Sequence, residues 1–137
     1  MAAGLPFEGD VANGPTAGSI ARPDVPTCRV DEKLADVRAR VEEAGWDACL
    51  AVNEERVVLG LLRTDDLAGG AGSTVEEAMR PGPGTFRPHV PIDEMAEHLV
   101  EQDLESVPVT HSDGTLVGML RREDAVHAAH QQHAHHH

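Results

Sequence analysis

Aromatic side chains are nearly absent from this chain. Tyrosine does not occur, and Trp46, Phe7 and Phe86 are the whole complement in 137 residues. The core must therefore be assembled from Val, Leu, Ala, Ile and Met. Positive charge is also scarce. Eleven Lys and Arg face 24 Asp and Glu, for a formal charge of −13. Such a surface repels phosphate backbones and anionic lipid, which excludes nucleic acid and the membrane surface as partners. No apolar run approaches the ~20 residues that a membrane-spanning helix requires. The start, Met1 to Asp10, has neither a basic n-region nor an apolar h-region, so no signal peptide is expected. Two cysteines, Cys28 and Cys49, cannot form a disulfide framework, and a cytoplasmic protein is the expectation. A nucleophile elbow and a Walker loop are missing too. So is any paired cluster of metal ligands outside the C-terminal tail, and no enzyme is expected.

What is present is a repeat. Gly60-Leu61-Leu62-Arg63-Thr64-Asp65-Asp66 returns as Gly118-Met119-Leu120-Arg121-Arg122-Glu123-Asp124, 58 residues later. At that one offset, residues 16–67 lie on residues 74–125 without a gap. Thr16 meets Thr74, Arg22-Pro23 meets Arg80-Pro81, Thr27 meets Thr85, Arg29 meets Arg87, and Glu43 meets Glu101. Apolar character matches at Leu34/Ile92, Val37/Met95, Val41/Leu99, Cys49/Val107 and Ala51/Val109. Self-similarity of this kind marks a duplicated supersecondary unit.

Each unit reads β-α-β-β-α. In the first, 26–30 is extended, and Asp31 caps a helix running to Ala44 with Leu34, Val37 and Val41 on one face. Gly45 ends it. Residues 48–52 form a strand, 53–55 a turn, and 56–62 a second strand, with a helix opening near Thr64. In the second, 85–87 is extended and Pro91 sits in the first turn of a helix carrying Ile92, Met95 and Leu99. A hairpin at Ser112-Asp113-Gly114 joins strands 106–110 and 115–120, and the last helix starts near Arg122. A flexible lead-in over 1–15 precedes repeat 1 (16–70), repeat 2 (71–130) and a His-rich tail (131–137) that resembles part of a purification tag or a frayed end. A unit under 60 residues buries too little apolar area alone. One α+β domain of two halves, related by a pseudo-two-fold axis, is therefore expected.

The repeated motif carries the candidate chemistry. A strand that runs into a helix start exposes unpaired N–H groups, a natural place for an anion. Six of the ten arginines fall at matched positions, 22/80, 29/87 and 63/121. They suggest two equivalent anion sites, or else surface ion pairs with the many carboxylates, each worth little. Cys28 and Cys49 fit a thiol pair lining a cleft or small buried hydrophobes. His127 and His130 stand one helical turn apart, where a transition metal could bind.

The tandem β-α-β-β-α unit, with Gly-apolar-apolar-x-x-x-Asp after its last strand, resembles a pair of CBS (cystathionine-β-synthase) domains, a Bateman module. Val107-Pro108-Val109, the hairpin Asp113 to Gly118 and Ala78-Met79-Arg80-Pro81 also resemble the family's pattern. The likeness implies a non-enzymatic regulatory module. It would bind AMP, ADP, ATP or S-adenosylmethionine in clefts between the repeats, signal to a partner protein and form a disc-shaped homodimer. It implies that Asp66 and Asp124 hold ribose hydroxyls and that Arg63 and Arg121 stand where the family helps hold phosphate, with the matched Arg22 and Arg80 as further anion-site candidates. Thr27, Thr85, Cys49, Val107 and Pro108 would line the clefts. Where the family often carries Thr or Ser, both copies here have Arg, at 63 and 121, and Leu50 stands where the second copy has Pro108. Two other readings are a constitutive dimerisation scaffold with empty clefts and a metal-responsive protein using the C-terminal His cluster.

Overall fold

The computed structural model describes residues 14–68 and 73–134, with backbone alone for 132–134. The lead-in over 1–13, the Gly-rich joint at 69–72 and the tail at 135–137 lie outside the described residues. The elements are α1 (Ala17–Ile20), β1 (Thr27–Cys28), α2 (Leu34–Ala44), β2 (Ala48–Val52), β3 (Val58–Arg63), α3 (Thr64–Leu67), α4 (Val75–Ala78), β4 (Arg80–Pro81), α5 (Ile92–Glu101), β5 (Ser106–Thr110), β6 (Leu116–Arg121) and α6 (Arg122–Ala134).

The period-2 pattern of β2 explains how the halves join. Cys49 and Ala51 face α2 and pack with Leu34, Val37, Val41 and Leu62. Ala48, Leu50 and Val52 face the other way, into a central cluster with Leu61, Leu116 and Met119. Repeat 2 has its own cluster, in which Ile92, Met95 and Leu99 of α5 lie on Val107, Val109 and Leu120. Each fully buried leucine here contributes about 1.5–3 kcal/mol.

The leading segment of each repeat crosses to the other. Ala17 and Ala21 pack in the repeat 2 cluster, whereas Val75, Ala78 and Met79 pack in that of repeat 1. β4 pairs antiparallel with β3 through Leu61↔Arg80, and Arg22 bridges Met119, the same pair with the repeats exchanged. The motif glycines mark these crossings. A Cβ on Gly60 would lie 2.3 Å from the Met79 sulfur, and one on Gly118 would lie 2.7 Å from the Arg22 carbonyl oxygen.

Val57 bridges Thr115, its own equivalent, so this contact sits on the pseudo-two-fold axis. Val58 N–H donates to Gly114 O at 3.0 Å, and Leu116 N–H donates to Arg56 O at 2.9 Å. Several expected boundaries shift: the strand expected at 56–62 is Val58–Arg63, and that expected at 115–120 is Leu116–Arg121. The first long helix starts at Leu34 rather than after Asp31, and Leu34 N–H is taken by Ser73 O at 2.8 Å. The extended piece 85–87 keeps one bridge, Phe86↔Val109, where repeat 1 has the two-residue β1 pairing. Leu50 N–H donates to Pro26 O at 3.1 Å in repeat 1, but its equivalent Pro108 has no N–H to give.

Candidate functional site

β3 ends at Arg63 and β6 at Arg121, and each passes directly into a helix, α3 or α6. This places Asp66 and Asp124 in first turns, beside the crossing segments. Arg80 Nε donates to Asp66 Oδ2 at 3.0 Å. Arg22 donates to Asp124 through Nε to Oδ2 at 2.6 Å and through Nη2 to Oδ1 at 3.0 Å. The two carboxylates are equally sheltered, with side chains 16% and 19% exposed, while their arginines stand about half in solvent. The arginine that meets each carboxylate thus comes from the leading segment of the opposite repeat.

The two pairs are not identical. Asp66 Oδ2 also accepts the Arg63 N–H at 2.9 Å, and Asp66 Oδ1 has no bond partner among the described residues. Arg22 occupies both Asp124 oxygens. Its hydrogen bond, and then its charge, hold the Asp124 carboxyl below the usual carboxylate range. The helices differ as well. α3 is a single turn, while α6 runs for 13 residues and has the longer dipole behind its start.

The other candidates spread out from these pairs. Arg63 crosses to repeat 2, where Nη1 donates to Ser106 Oγ at 2.9 Å and Nη2 to Ser106 O at 2.8 Å. Arg121 lies over the Trp46 ring, 4.0 Å from its centroid. It also lines a polar cleft of ≈ 380 Å³ with Gly45, Asp47, Glu105, Arg122 and Glu123. Thr27 lies on β1, its carbonyl accepting Arg40 Nη1 at 2.9 Å. Thr85 Oγ1 accepts Arg87 Nη2 at 2.7 Å. Cys49, Val107 and Pro108 are buried on the central strands. The Cys28 thiol, through its hydrogen bond, and burial push the Cys49 thiol up and keep it protonated. Among the described residues no three His, Cys, Asp or Glu side chains form a group that could hold a metal. His133 and His135 to His137, from the His-rich tail, fall outside the described side chains.

Sequence reasoning did not anticipate two partners, Ser106 and Trp46. Both break the repeat: Ser106 stands where repeat 1 has Ala48, and Trp46 where repeat 2 has Leu104. That mismatch was the available signal. Among the described residues no helix is long and apolar enough to cross a membrane.

The profile of the CBS domain matches residues 17–70 and again 75–131. The protein YtoI of Bacillus subtilis (strain 168), described as uncharacterised, is 28% identical over 87 residues, which is 63% of this chain and 20% of that protein. The chain thus spans about a fifth of the length of that curated relative. Among solved structures, CBSX2 in complex with AMP superposes with a TM-score of 0.76 at 23% identity, covering 86% of this chain and 98% of that one. The CBS domain pair of protein MJ0100, in complex with 5-methylthioadenosine and S-adenosyl-L-methionine, gives a TM-score of 0.73 at 19% identity, covering 83% and 94%.

Proposed function

The chain belongs to the CBS domain family, and on that premise we propose that it is a non-enzymatic regulatory module for an adenosine-containing ligand. AMP, ADP, ATP or S-adenosylmethionine would enter the crevices at Asp66 and Asp124. The observation that carries this reading is the twofold placement of one sheltered carboxylate, each time at a helix start beside an arginine. A carboxylate accepts two ribose hydroxyls at once, and guanidinium is a good phosphate partner. Adenosine compounds in both solved complexes support the ligand class.

The crevices fill in order. Asp66 Oδ1 receives a hydroxyl without breaking an existing bond, whereas Asp124 must first part from Arg22. Arg22 sits on the segment that bridges Met119, so opening that pair loosens the join between the repeats. A cytoplasmic partner protein reads the change. Calorimetry with the four ligands tests the reading. Heat with at least one of them, reduced in Asp66→Ala to that of the second crevice, is expected; no heat from any would overturn it.

A second reading, a constitutive scaffold with empty crevices, is favoured by the commitment of Arg63 to Ser106 and of Arg121 to Trp46. It predicts a melting temperature that no nucleotide moves.

A further inference from the structure

Cys28 on β1 and Cys49 on β2 are the two cysteines of the chain, and both are buried. β1 runs parallel to β2 with Cys28 opposite Ala51. Cys49 stands two residues earlier on β2, so it faces the same way, toward Leu34, Val37 and Val41 of α2. The sulfurs flank one atom: Cys28 Sγ lies 3.8 Å and Cys49 Sγ 4.0 Å from the Leu50 carbonyl oxygen. The two thiols also hydrogen-bond to each other. Repeat 2 has nothing comparable, with Phe86 and Val107 at the equivalent places. A disulfide does not fit here. Strand spacing and rise set the two α-carbons about 8 Å apart, beyond the ~7 Å that a disulfide spans with the backbone in place. An atom between the sulfurs does fit, because two metal–thiolate bonds of about 2.3 Å end to end hold sulfurs about 4–5 Å apart.

We propose that Cys28 and Cys49 clamp one soft monovalent cation of the copper(I) class between their sulfurs. The site is independent of the crevices at Asp66 and Asp124. Sulfur donors in apolar walls select against magnesium and calcium, which take oxygen ligands. Zinc takes four ligands, and among the described residues no third His, Cys, Asp or Glu joins the pair. Binding releases both thiol protons to water and leaves one net negative charge on the two thiolates and their cation. Arg40 stands within electrostatic reach of both sulfurs and offsets that charge. It is held in place, with Nη1 donating to the Thr27 carbonyl oxygen at 2.9 Å and Nη2 to Glu32 Oε1 at 2.6 Å. The way in is β1 itself, a two-residue strand at the sheet edge whose opening uncovers Cys28. Once closed, the clamp fastens β1 to β2, and with β1 the crossing segment that carries Arg22.

Anaerobic titration of the reduced full chain with copper(I), in competition with a copper(I) chelator, tests this. The wild type should take one equivalent from the chelator, show a sulfur-to-copper charge-transfer band in the ultraviolet, and melt at a higher temperature. Cys28→Ala and Cys49→Val, the second copying repeat 2, should each keep the circular dichroism spectrum and lose both the band and the uptake. His127→Ala and His130→Ala should change neither, which separates the clamp from the His-rich tail. No uptake by the wild type overturns the proposal. So does a band that survives either cysteine variant, or uptake that follows the histidines instead. A rise in melting temperature with zinc that Cys49→Val abolishes overturns it as well, because the pair would then belong to a four-ligand site.

Discussion

Arg22 grips both carboxylate oxygens of Asp124 across 102 residues of sequence, while Arg80 reaches only one oxygen of Asp66. Exchange of the two repeats carries the first pair onto the second, so the difference lies in geometry rather than in residue type.

Ligand titration should report that difference. Arg22→Ala frees Asp124 for ribose but removes its phosphate partner, so the second crevice should bind adenosine several-fold more tightly relative to ATP, with the first unchanged. Asp66→Ala should remove the tighter of two calorimetric sites. Equal affinities in the wild type, unmoved by Arg22→Ala, would contradict the ordering.

Acid should loosen the Arg22–Asp124 join. The folded Asp124 carboxyl titrates below its unfolded value of about 3.9. Its contribution is therefore present in full above about pH 4, and is lost as pH falls through the lower folded value. Urea melts at a series of pH values should show stability falling below about pH 4. Arg22→Ala should flatten part of that fall.

The two motif glycines should respond unequally to alanine. At Gly118 the new methyl meets the Arg22 carbonyl, which is backbone and cannot step aside. At Gly60 it meets the Met79 side chain, which can turn away. Gly118→Ala should cost about 1–3 kcal/mol in denaturant melts, and Gly60→Ala less.

Helix ends offer a matched pair. Gly45 closes α2 with φ 76°, its N–H and that of Trp46 returning to Glu42 O and Val41 O. Asp103 closes α5 the same way with φ 54°, although it carries a side chain. Gly45→Ala should lose about 1 kcal/mol, and Asp103→Gly should gain a few tenths to about 1 kcal/mol, despite the loss of its exposed pair with Arg122. Thermal melts of the two variants, moving in opposite directions, check this.

Much of the fold was legible in the sequence because one offset governs it. The strands at 48–52 and 106–110 match the expected bounds. The Gly45 stop and the hairpin at Asp113-Gly114 follow from local chemistry that reads the same in any context. The crossing of the leading segments was not legible. Ala17–Ile20 and Val75–Ala78 are four-residue helices, too short for a periodic signal, and nothing local says which half a short segment joins. The candidate residues were legible by type and not by partner. Arg22 and Arg80 are drawn to carboxylates of the opposite repeat, and Arg63 to Ser106, because tertiary packing decides where a long side chain ends.

The crossed segments also govern how this chain can be taken apart. Cut between the repeats, it would leave two pieces, each without the short helix and bridging segment that finish it. Neither piece is a self-sufficient unit, but mixed in equal amounts they hold all that is needed to rebuild one body. By the same logic, an ancestor with a single repeat could complete itself only by exchanging its first residues with a twin.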